Sequence, residues 1–252
     1  MAKFQRRTIM SDKNKDFWEN GSSYDEYVSE ELKDFRKEAW KKQIRIHLPL
    51  GKHLTVLDVG CGPGFFACIL SEEGYNVTGI DRSADMLNYA DMNAKVLGLS
   101  PKFIQMDANN LEFDDNTFDL IISRNVTWTF DEPIRAYKQF YRKLKTGGRL
   151  LIYDANWHIP FYYPDMLEKV RENEKRYYER FGEEFKVYDD DKGIFENLPL
   201  SNTWRPEWDI NALAEIGFKD IHADKNIGGK LYTDWELELY SVTPLFEISA
   251  LK

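Results

Sequence analysis

Short apolar runs alternate with longer amphipathic stretches along most of the chain. The runs are rich in β-branched residues, as is typical of buried strands, whereas the stretches repeat apolar residues at helical spacing. The strand-like runs occupy residues 55–59, 76–81, 102–107, 117–122, 149–153, 218–223 and 237–248. The alternation predicts an α/β fold with a doubly wound parallel sheet, helices on both faces and right-handed crossovers.

Three parts of the chain depart from this alternation. Residues 11–50 predict an N-terminal helical segment ahead of the sheet domain, which we place at 51–252. Residues 155–205 are aromatic and charged and too long for a plain crossover, so they predict a lid insertion after the fifth strand, with a packing surface or dimer contact as the alternative. The last two strand-like runs predict a closing antiparallel hairpin.

Composition and charge narrow the class of protein. The chain has 252 residues, 42% of them hydrophobic, which suffices for one α/β domain with a core. No apolar run approaches the roughly 20 residues of a membrane span, and the basic N-terminus lacks the apolar core of a signal peptide. The net charge of −9, without a basic cluster, argues against nucleic-acid binding. We expect a cytoplasmic protein without membrane insertion; its oligomeric state stays open, a homodimer included.

The basic residues near the N-terminus and the two cysteines are interpreted as structural residues rather than as parts of a binding site. The basic residues near the N-terminus alternate with acids and are interpreted as a solvated helix face. They are Lys33, Arg36, Lys37, Lys41, Lys42 and Arg45. Cys61 and Cys68 are too few for a disulfide framework and have no further Cys/His pair at metal-ligand spacing. We interpret both as small buried residues and expect no metal site.

A glycine-rich turn follows the first strand-like run. Gly60, Gly62 and Gly64 alternate with other residues between Asp58, which ends the strand, and a helix that begins at Phe65. Such a turn lets the backbone approach a ligand closely and points free helix N–H groups at it. A tight strand–helix turn without a ligand is the alternative. The G-x-G-x-G spacing differs from the G-x-G-x-x-G of dinucleotide-binding folds.

This glycine pattern, with an acid two residues ahead of it, resembles the first motif of the class I S-adenosylmethionine (SAM) dependent methyltransferases. The run 144–152, Leu-Lys-Thr-Gly-Gly-Arg-Leu-Leu-Ile, is similar to a second passage of that superfamily, with Thr146 in place of the usual proline. The resemblance is strong over about 50–154 and loose over 205–250. It implies a Rossmann-like, mostly parallel seven-stranded sheet in the order 3-2-1-4-5-7-6.

The resemblance also implies where SAM binds. In the superfamily the glycine loop holds the amino-acid end of SAM, an acid after the second strand meets the ribose, and an acid after the third meets adenine. A carboxylate such as Asp81 can accept both ribose O–H donors. The cofactor-binding residues that we predict are Tyr24, Asp58, Gly60, Cys61, Gly62, Gly64, Asp81, Arg82, Met86, Asp107, Ala108, Asn125 and Trp128. Packing in the core is the alternative for Tyr24, Tyr27 and Met86.

The implied reaction transfers the methyl group of SAM to a small-molecule acceptor and leaves S-adenosylhomocysteine (SAH). A sulfonium methyl carbon is already electrophilic, so the enzyme mainly aligns the reactants and excludes water. A base is required only for a protonated acceptor. His158 and Tyr163 are the predicted catalytic residues, with Asp154 a weaker candidate, and packing is the alternative for His158. Arg124 is expected either to bind an acidic group on a substrate or to make only a backbone contact with its side chain solvated.

Other functions stay open beside a small-molecule methyltransferase similar to those of quinone biosynthesis. One is a SAM-binding sensor or partner subunit without catalysis, and another is a protein methyltransferase whose acidic surface receives a basic peptide. A nicotinamide oxidoreductase is disfavoured by the glycine spacing. Neither the Asn-Pro-Pro-Tyr type of loop used for nucleobases nor the metal-binding carboxylates of catechol-type enzymes follow the fourth strand, where Ser123, Arg124 and Asn125 stand.

Overall fold

The computed structural model describes residues 22–48, 53–182, 184–187, 196 and 198–252, so residues 11–21 and 49–50 of the predicted N-terminal segment lie outside it. Its strands are β1 (Thr55–Val59), β2 (Asn76–Asp81), β3 (Lys102–Gln105), β4 (Phe118–Arg124), β5 (Leu144–Asp154), β6 (Lys219–Asp224) and β7 (Phe246–Leu251). They form one sheet in the order β3-β2-β1-β4-β5-β7-β6. Strands β1 to β5 are parallel, and β7 is antiparallel to β5 and β6. The predicted fold class and strand order are confirmed.

Helices cover both faces of this sheet. Those in the described part of the chain are α1 (Ser22–Glu31), α2 (Phe35–Arg45), α3 (Phe65–Glu72), α4 (Ala84–Val96), α5 (Pro133–Lys143), α6 (Pro164–Phe181), α7 (Glu207–Ile216), α8 (Gly228–Leu231) and α9 (Asp234–Leu239). Residues of α2, α3 and α4 pack on one face and residues of α5 and α7 on the other. The lid proposed for residues 155–205 includes a 3-10 turn at Ile159–Tyr162 and α6.

The central strands are mostly apolar because both of their faces are covered. Val56 of β1 packs with the α2–α4 side, whereas its neighbour Leu57 packs with the α5 side. Leu120 and Ile121 of β4 divide between the two faces in the same way. All four are fully buried, and each contributes about 1.5–3 kcal/mol to folding by burial. The strands were therefore recognisable as short, continuous apolar runs.

Helix α2 connects the N-terminal part of the chain to the sheet. Trp40 is buried, and its ring lies 4.9 Å from that of Tyr153 on β5, centroid to centroid. The amide of Gln43 donates to Glu247 Oε2 at 2.8 Å, and His47 Nε2 lies 2.7 Å from Glu247 Oε1. These contacts join α2 and the turn after it to β7 across most of the sequence.

The interpretation of a solvated basic face on α2 is wrong for two residues. Arg36 and Lys41 are buried, with 3% and 5% of their surfaces exposed. Arg36 Nη1 lies 3.0 Å from Glu236 Oε1, and Lys41 Nζ lies 2.5 Å from Glu72 Oε2. Burial of the two cations is tolerated because each has carboxylate partners. Arg36 also pairs with the nearby Asp34 and Lys41 with the nearby Glu38, whereas Glu236 and Glu72 are distant in sequence.

The predicted strand at 237–248 is wrong in its first half. Residues Asp234–Leu239 form α9, and β7 begins only at Phe246. The helix starts with a capping box, in which the Thr233 side chain accepts from the N–H of Glu236 while the Glu236 carboxylate accepts from the N–H of Thr233. The connection between β6 and β7 is therefore helical rather than a hairpin turn. In the other direction, β5 begins at Leu144, ahead of the expected start at Arg149.

Candidate functional site

The acids singled out in the sequence gather at one edge of the sheet. The register sets Val59 beside Ile80 of β2 and Ser123 of β4, and it sets Asp81 beside Gln105 of β3. The carboxyl ends of these four strands therefore meet at the same edge, which is where open parallel sheets bind their ligands.

The glycine loop is tightly enclosed on two sides and open on the third. Gly60, Gly62 and Gly64 have φ angles of 65°, 52° and 87°, which favour glycine. A Cβ placed on Gly60 would lie 2.5 Å from Cγ1 of Val126, and one on Gly64 would lie 3.0 Å from Cβ of Ala90. A Cβ on Gly62 would meet nothing within 4 Å among the described residues. The backbone at Gly62 is thus approachable from outside the loop.

Asp58 lies buried beneath this loop. Its Oδ2 accepts a hydrogen bond from the N–H of Ala67 in α3 at 3.0 Å. Burial raises the pKa of Asp58 from an ordinary value of 3.8 to about 7, although the charge of Arg124 and the N–H of Ala67 lower it. The Asp58 carboxyl therefore gains or loses its proton near neutrality in this structure.

Asp81 ties the loop to the end of β2. Its Oδ2 accepts from the N–H of Gly62 at 2.9 Å, and its Oδ1 accepts from the N–H of Ser83 at 2.9 Å. Burial raises the pKa of Asp81, and these backbone N–H groups oppose the rise. Ser83 caps α4, because its hydroxyl oxygen accepts a hydrogen bond from the N–H of Met86. The Met86 side chain is buried, whereas that of Arg82 is exposed.

The turn after β3 carries Asp107 and Ala108. Asp107 Oδ1 accepts from the N–H of Asn109 at 2.9 Å, and Ala108 is buried behind it. Asn109 was not singled out in the sequence. Its Oδ1 is buried and has no hydrogen-bond partner in the described part of the chain. Since buried polar atoms are normally paired, this oxygen indicates a position for a donor from a ligand.

Arg124 at the end of β4 is bound within the protein. Its Nη1 and Nη2 atoms lie 2.9 Å and 2.8 Å from the two carboxylate oxygens of Glu31 in α1. The guanidinium also stacks over Phe65, 4.5 Å from the ring centroid. The alternative of a solvated Arg124 side chain is therefore wrong, because the guanidinium joins the edge of the sheet to α1.

Aromatic side chains surround His158 beyond the end of β5. His158 is 5% exposed, stacks with Trp128 at a centroid distance of 6.1 Å, and lies 4.8 Å from the ring of Phe161. The Trp128 indole N–H donates to the carbonyl of Asn125 at 3.2 Å, and its backbone N–H donates to Asp154 Oδ2 at 3.1 Å. The structure thus brings Asn125, Trp128 and His158 together.

The remaining predicted site residues lie in different surroundings. Tyr163 precedes α6 and is 41% exposed, and its hydroxyl accepts from the indole N–H of Trp204 at 3.2 Å. Tyr24 lies partly buried in the first turn of α1. Cys61 is buried in the loop, as expected, and burial raises the pKa of its thiol. Of the two catalytic candidates, only His158 is enclosed.

A buried ion-pair network that the sequence did not reveal supports this region. Arg205 Nη1 lies 2.8 Å from Asp154 Oδ2, and its Nη2 lies 2.8 Å from Asp209 Oδ1. The same nitrogen donates to Thr127 Oγ1 at 2.6 Å, and the hydroxyl of Tyr137 donates to Asp209 Oδ1 at 2.5 Å. Asp154 is engaged as an ion-pair partner, which argues against the weaker catalytic role considered for it. Arg205 and Asp209 are four residues apart, but Thr127, Tyr137 and Asp154 are distant in sequence, so no local pattern marks the network as a whole.

The described residues contain neither a cluster of metal ligands nor a helix suited to a membrane span. No group of three or more His, Cys, Asp or Glu residues is arranged to hold a metal ion in that part of the chain. None of the helices that the structure describes is long and apolar enough to cross a membrane.

Comparison with protein families gives a match over the core of the sheet. Residues 57–152 match the family described as a methyltransferase domain. Phosphoethanolamine N-methyltransferase 3 of Arabidopsis thaliana is 39% identical over 100 residues, which cover 39% of this chain and 20% of the relative. Demethylmenaquinone methyltransferase of Bacteroides fragilis is 27% identical over 189 residues, which cover 73% of this chain and 75% of the relative.

Solved structures agree at the level of the fold. Phosphoethanolamine N-methyltransferase 2 of Haemonchus contortus, in complex with S-adenosyl-L-methionine, matches with a TM-score of 0.64 at 17% identity. The match covers 94% of this chain and 59% of that one. The chain spans only 20% to 58% of the length of three of its curated relatives.

Proposed function

We propose that the chain is a class I SAM-dependent methyltransferase that methylates a small-molecule acceptor and leaves SAH, because residues 57–152 match a methyltransferase domain and the fold agrees with that of a methyltransferase solved with SAM. One observation carries the proposal. The open glycine loop, Asp58, Asp81 and Asp107 lie at the ends of adjacent parallel strands, on one edge of the sheet. The fold places them there although they are scattered along the sequence.

The residues at this edge fit the parts of SAM. The open backbone at Gly62 suits the amino-acid end. Each Asp81 oxygen accepts one backbone N–H, and a carboxylate oxygen has a second lone pair, so Asp81 retains acceptor capacity for the ribose hydroxyls. Asp107 and the Oδ1 of Asn109, which has no hydrogen-bond partner among the described residues, offer acceptors for the amino group of adenine. The residues that we place around these contacts are Tyr24, Gly60, Cys61, Gly64, Arg82, Met86, Ala108, Asn125 and Trp128.

Bound SAM supplies an electrophilic methyl carbon, so the protein's own residues have positional tasks. The aromatic enclosure of Trp128, His158 and Phe161 excludes water and presents apolar surface to an acceptor. His158 is the proposed base for an acceptor that must lose a proton, since it is the buried titratable group among these rings. Tyr163 stays a second, more exposed candidate.

A small-molecule acceptor is supported by two kinds of observation. The relatives named above include methyltransferases of phosphoethanolamine and demethylmenaquinone, both small acceptors. The rings around His158 lie close together, which suits a compact acceptor better than an extended polypeptide. We therefore place the acceptor beside His158, at the carboxyl end of β5.

Calorimetric titration with SAM and SAH, with NAD as a control, tests the cofactor. Micromolar binding of SAM and SAH without NAD binding is the expected result, and a folded chain that binds neither contradicts the proposal. Asp81→Ala should weaken SAM binding by about 1–3 kcal/mol, because it removes acceptors for two hydroxyls. Unchanged SAM affinity would remove Asp81 from the site.

A mass-shift screen of amines, phenols and quinols with SAM tests the acceptor. In the presence of an acceptor so found, His158→Ala should lower kcat by about 10²–10⁴-fold while SAM affinity stays unchanged. His222→Ala is the matched control, because His222 is exposed on β6. Undiminished turnover of His158→Ala eliminates His158 as the base, and methylation of bulk protein in place of small molecules contradicts the proposed acceptor class.

A further inference from the structure

Helix α1 is fastened to the rest of the protein through two rows of side chains. Residues four apart share one face of a helix, so Asp25 and Ser29 form one row and Tyr27 and Glu31 form the other. The second row binds Glu236 and the end of β4. The first row faces α4, and both of its members contact a single amide there.

That amide belongs to Asn93, and it reaches the glycine loop as well. Asn93 Nδ2 donates to Asp25 Oδ1 at 2.7 Å and to the carbonyl oxygen of Pro63 at 3.1 Å. Its Oδ1 accepts a longer bond, of 3.4 Å, from the Ser29 hydroxyl. Pro63 lies between Gly62 and Gly64. One side chain thus joins α4, α1 and the backbone of the loop.

Helix α4 also supports the loop at the neighbouring residue. A Cβ on Gly64 would lie 3.0 Å from Cβ of Ala90, so Gly64 and Ala90 are in close contact. Ala90 and Asn93 are three residues apart and therefore share a face of α4. A shift of the loop would break the hydrogen bond between Asn93 and Pro63. A movement of α1 away from α4 would break the hydrogen bond between Asn93 and Asp25.

We propose that Asn93 is a positioning residue that couples the docking of α1 to the cofactor-binding conformation of the glycine loop. The coupling rests on the proposed function, since it assumes that the loop holds SAM. Binding of SAM or SAH favours the loop conformation in which Pro63 accepts a hydrogen bond from Asn93. The same conformation favours docking of α1 on α4, because Asn93 also binds Asp25. Because coupling between sites is reciprocal, docked α1 raises the affinity of the loop for the cofactor by the same factor.

The test combines SAH titration with hydrogen–deuterium exchange of the α1 amides. In the wild-type chain SAH should slow exchange in α1. In Asn93→Ala exchange in α1 should rise, SAH should no longer slow it, and the Kd for SAH should rise about tenfold. Asn88→Ala is the matched control, because Asn88 is exposed on the same helix and should leave both measurements unchanged.

Two further variants separate the two contacts of the amide. Asp25→Ala removes the α1 contact alone, so it should reproduce the loss of coupling even if Asn93→Ala does not fold. The exchange pair Asp25→Asn with Asn93→Asp restores a hydrogen bond to α1 but sets a carboxylate against the Pro63 carbonyl. In this double variant exchange in α1 should be slow, whereas the Kd for SAH should stay about tenfold above the wild-type value.

Each result bears on a separate claim. If the wild-type chain binds SAH and Asn93→Ala binds it with the same Kd, the coupling is overturned and the proposed function is unaffected. Recovery of wild-type SAH affinity in the double variant overturns it too, since the Pro63 contact would then be irrelevant. A wild-type chain that binds no SAH contradicts the proposed function, and with it the coupling.

Discussion

Gly60 and Gly62 share a left-handed backbone but differ in what surrounds them. At Gly60 a Cβ would lie 2.5 Å from Val126, whereas at Gly62 it would meet nothing within 4 Å among the described residues. Gly60→Ala should therefore lower the free energy of unfolding by about 1–3 kcal/mol beyond the backbone strain that Gly62→Ala also carries. Urea denaturation of the two variants measures the difference, and equal losses would contradict the contact with Val126.

The buried carboxyl of Asp58 predicts a pH dependence of stability. Its pKa is raised from 3.8 to about 7, so the folded protein holds a proton that the unfolded chain releases. The stability gained from Asp58 is full below pH 3.8 and is lost as the pH rises through about 7. Asp58→Asn, which retains an acceptor for Ala67, should flatten this decline. Urea denaturation at pH 5 and pH 8 compares the slopes, and parallel profiles would contradict the shift.

Single side chains were predictable where local chemistry decides their place. The acids at strand ends and the glycines of the loop follow from the strand–turn–helix pattern, and the structure brings them to one edge. The buried state of Arg36 and Lys41 was not predictable, because it depends on the distant partners Glu236 and Glu72 in addition to nearby carboxylates. Asn93 was missed for the same reason, since an Asn on an amphipathic helix carries no sign of its contacts.

At the scale of elements, Arg205 connects the segment after α6 to β5, α5 and α7. Arg205→Met leaves Asp154 and Asp209 as buried charges without their cation, so the free energy of unfolding should fall by about 3–5 kcal/mol. Arg142→Met is the matched control, because the Arg142–Asp115 pair is exposed and is worth at most about 1 kcal/mol. Equal losses in the two variants would show that the buried network does not stabilise the fold.

Most helices and strands were predictable because one period dominates each of them. The error at 237–248 arose where two periods compete. The run Leu-Glu-Leu-Tyr alternates as a strand would, but it also fits a helix turn, and the capping box at Thr233 and Glu236 favours the helix. The start of β5 was missed because its glycines at 147–148 indicated a turn.

The whole molecule should unfold as one unit. Tyr27 and Arg36 bind Glu236, and Gln43 binds Glu247, so the N-terminal helices depend on residues near the opposite end of the sequence. Unfolding curves from tryptophan fluorescence and far-ultraviolet circular dichroism should therefore coincide. An earlier fluorescence transition that leaves the helical signal intact would show that the N-terminal helices detach separately.

The strand order could be predicted only through the family resemblance. The hydrophobic pattern alone gives alternating strands and helices, and such a pattern allows several orders of parallel strands. No local sequence pattern indicates that β7 inserts antiparallel between β5 and β6, because this position depends on strand pairings such as that of Ile152 with Ile248. The fold class was thus set by local patterns, and the topology was set by contacts distant in sequence.

The contact between α2 and β7 has a consequence for the nascent chain. Glu247 is made 204 residues after Gln43. Ribosomes add about 5–20 residues per second, so α2 waits about 10–40 s for the carboxylate that it binds. Helix α2 is therefore among the last elements to complete its native contacts, and during that interval the part of α2 that binds β7 is open to chaperones.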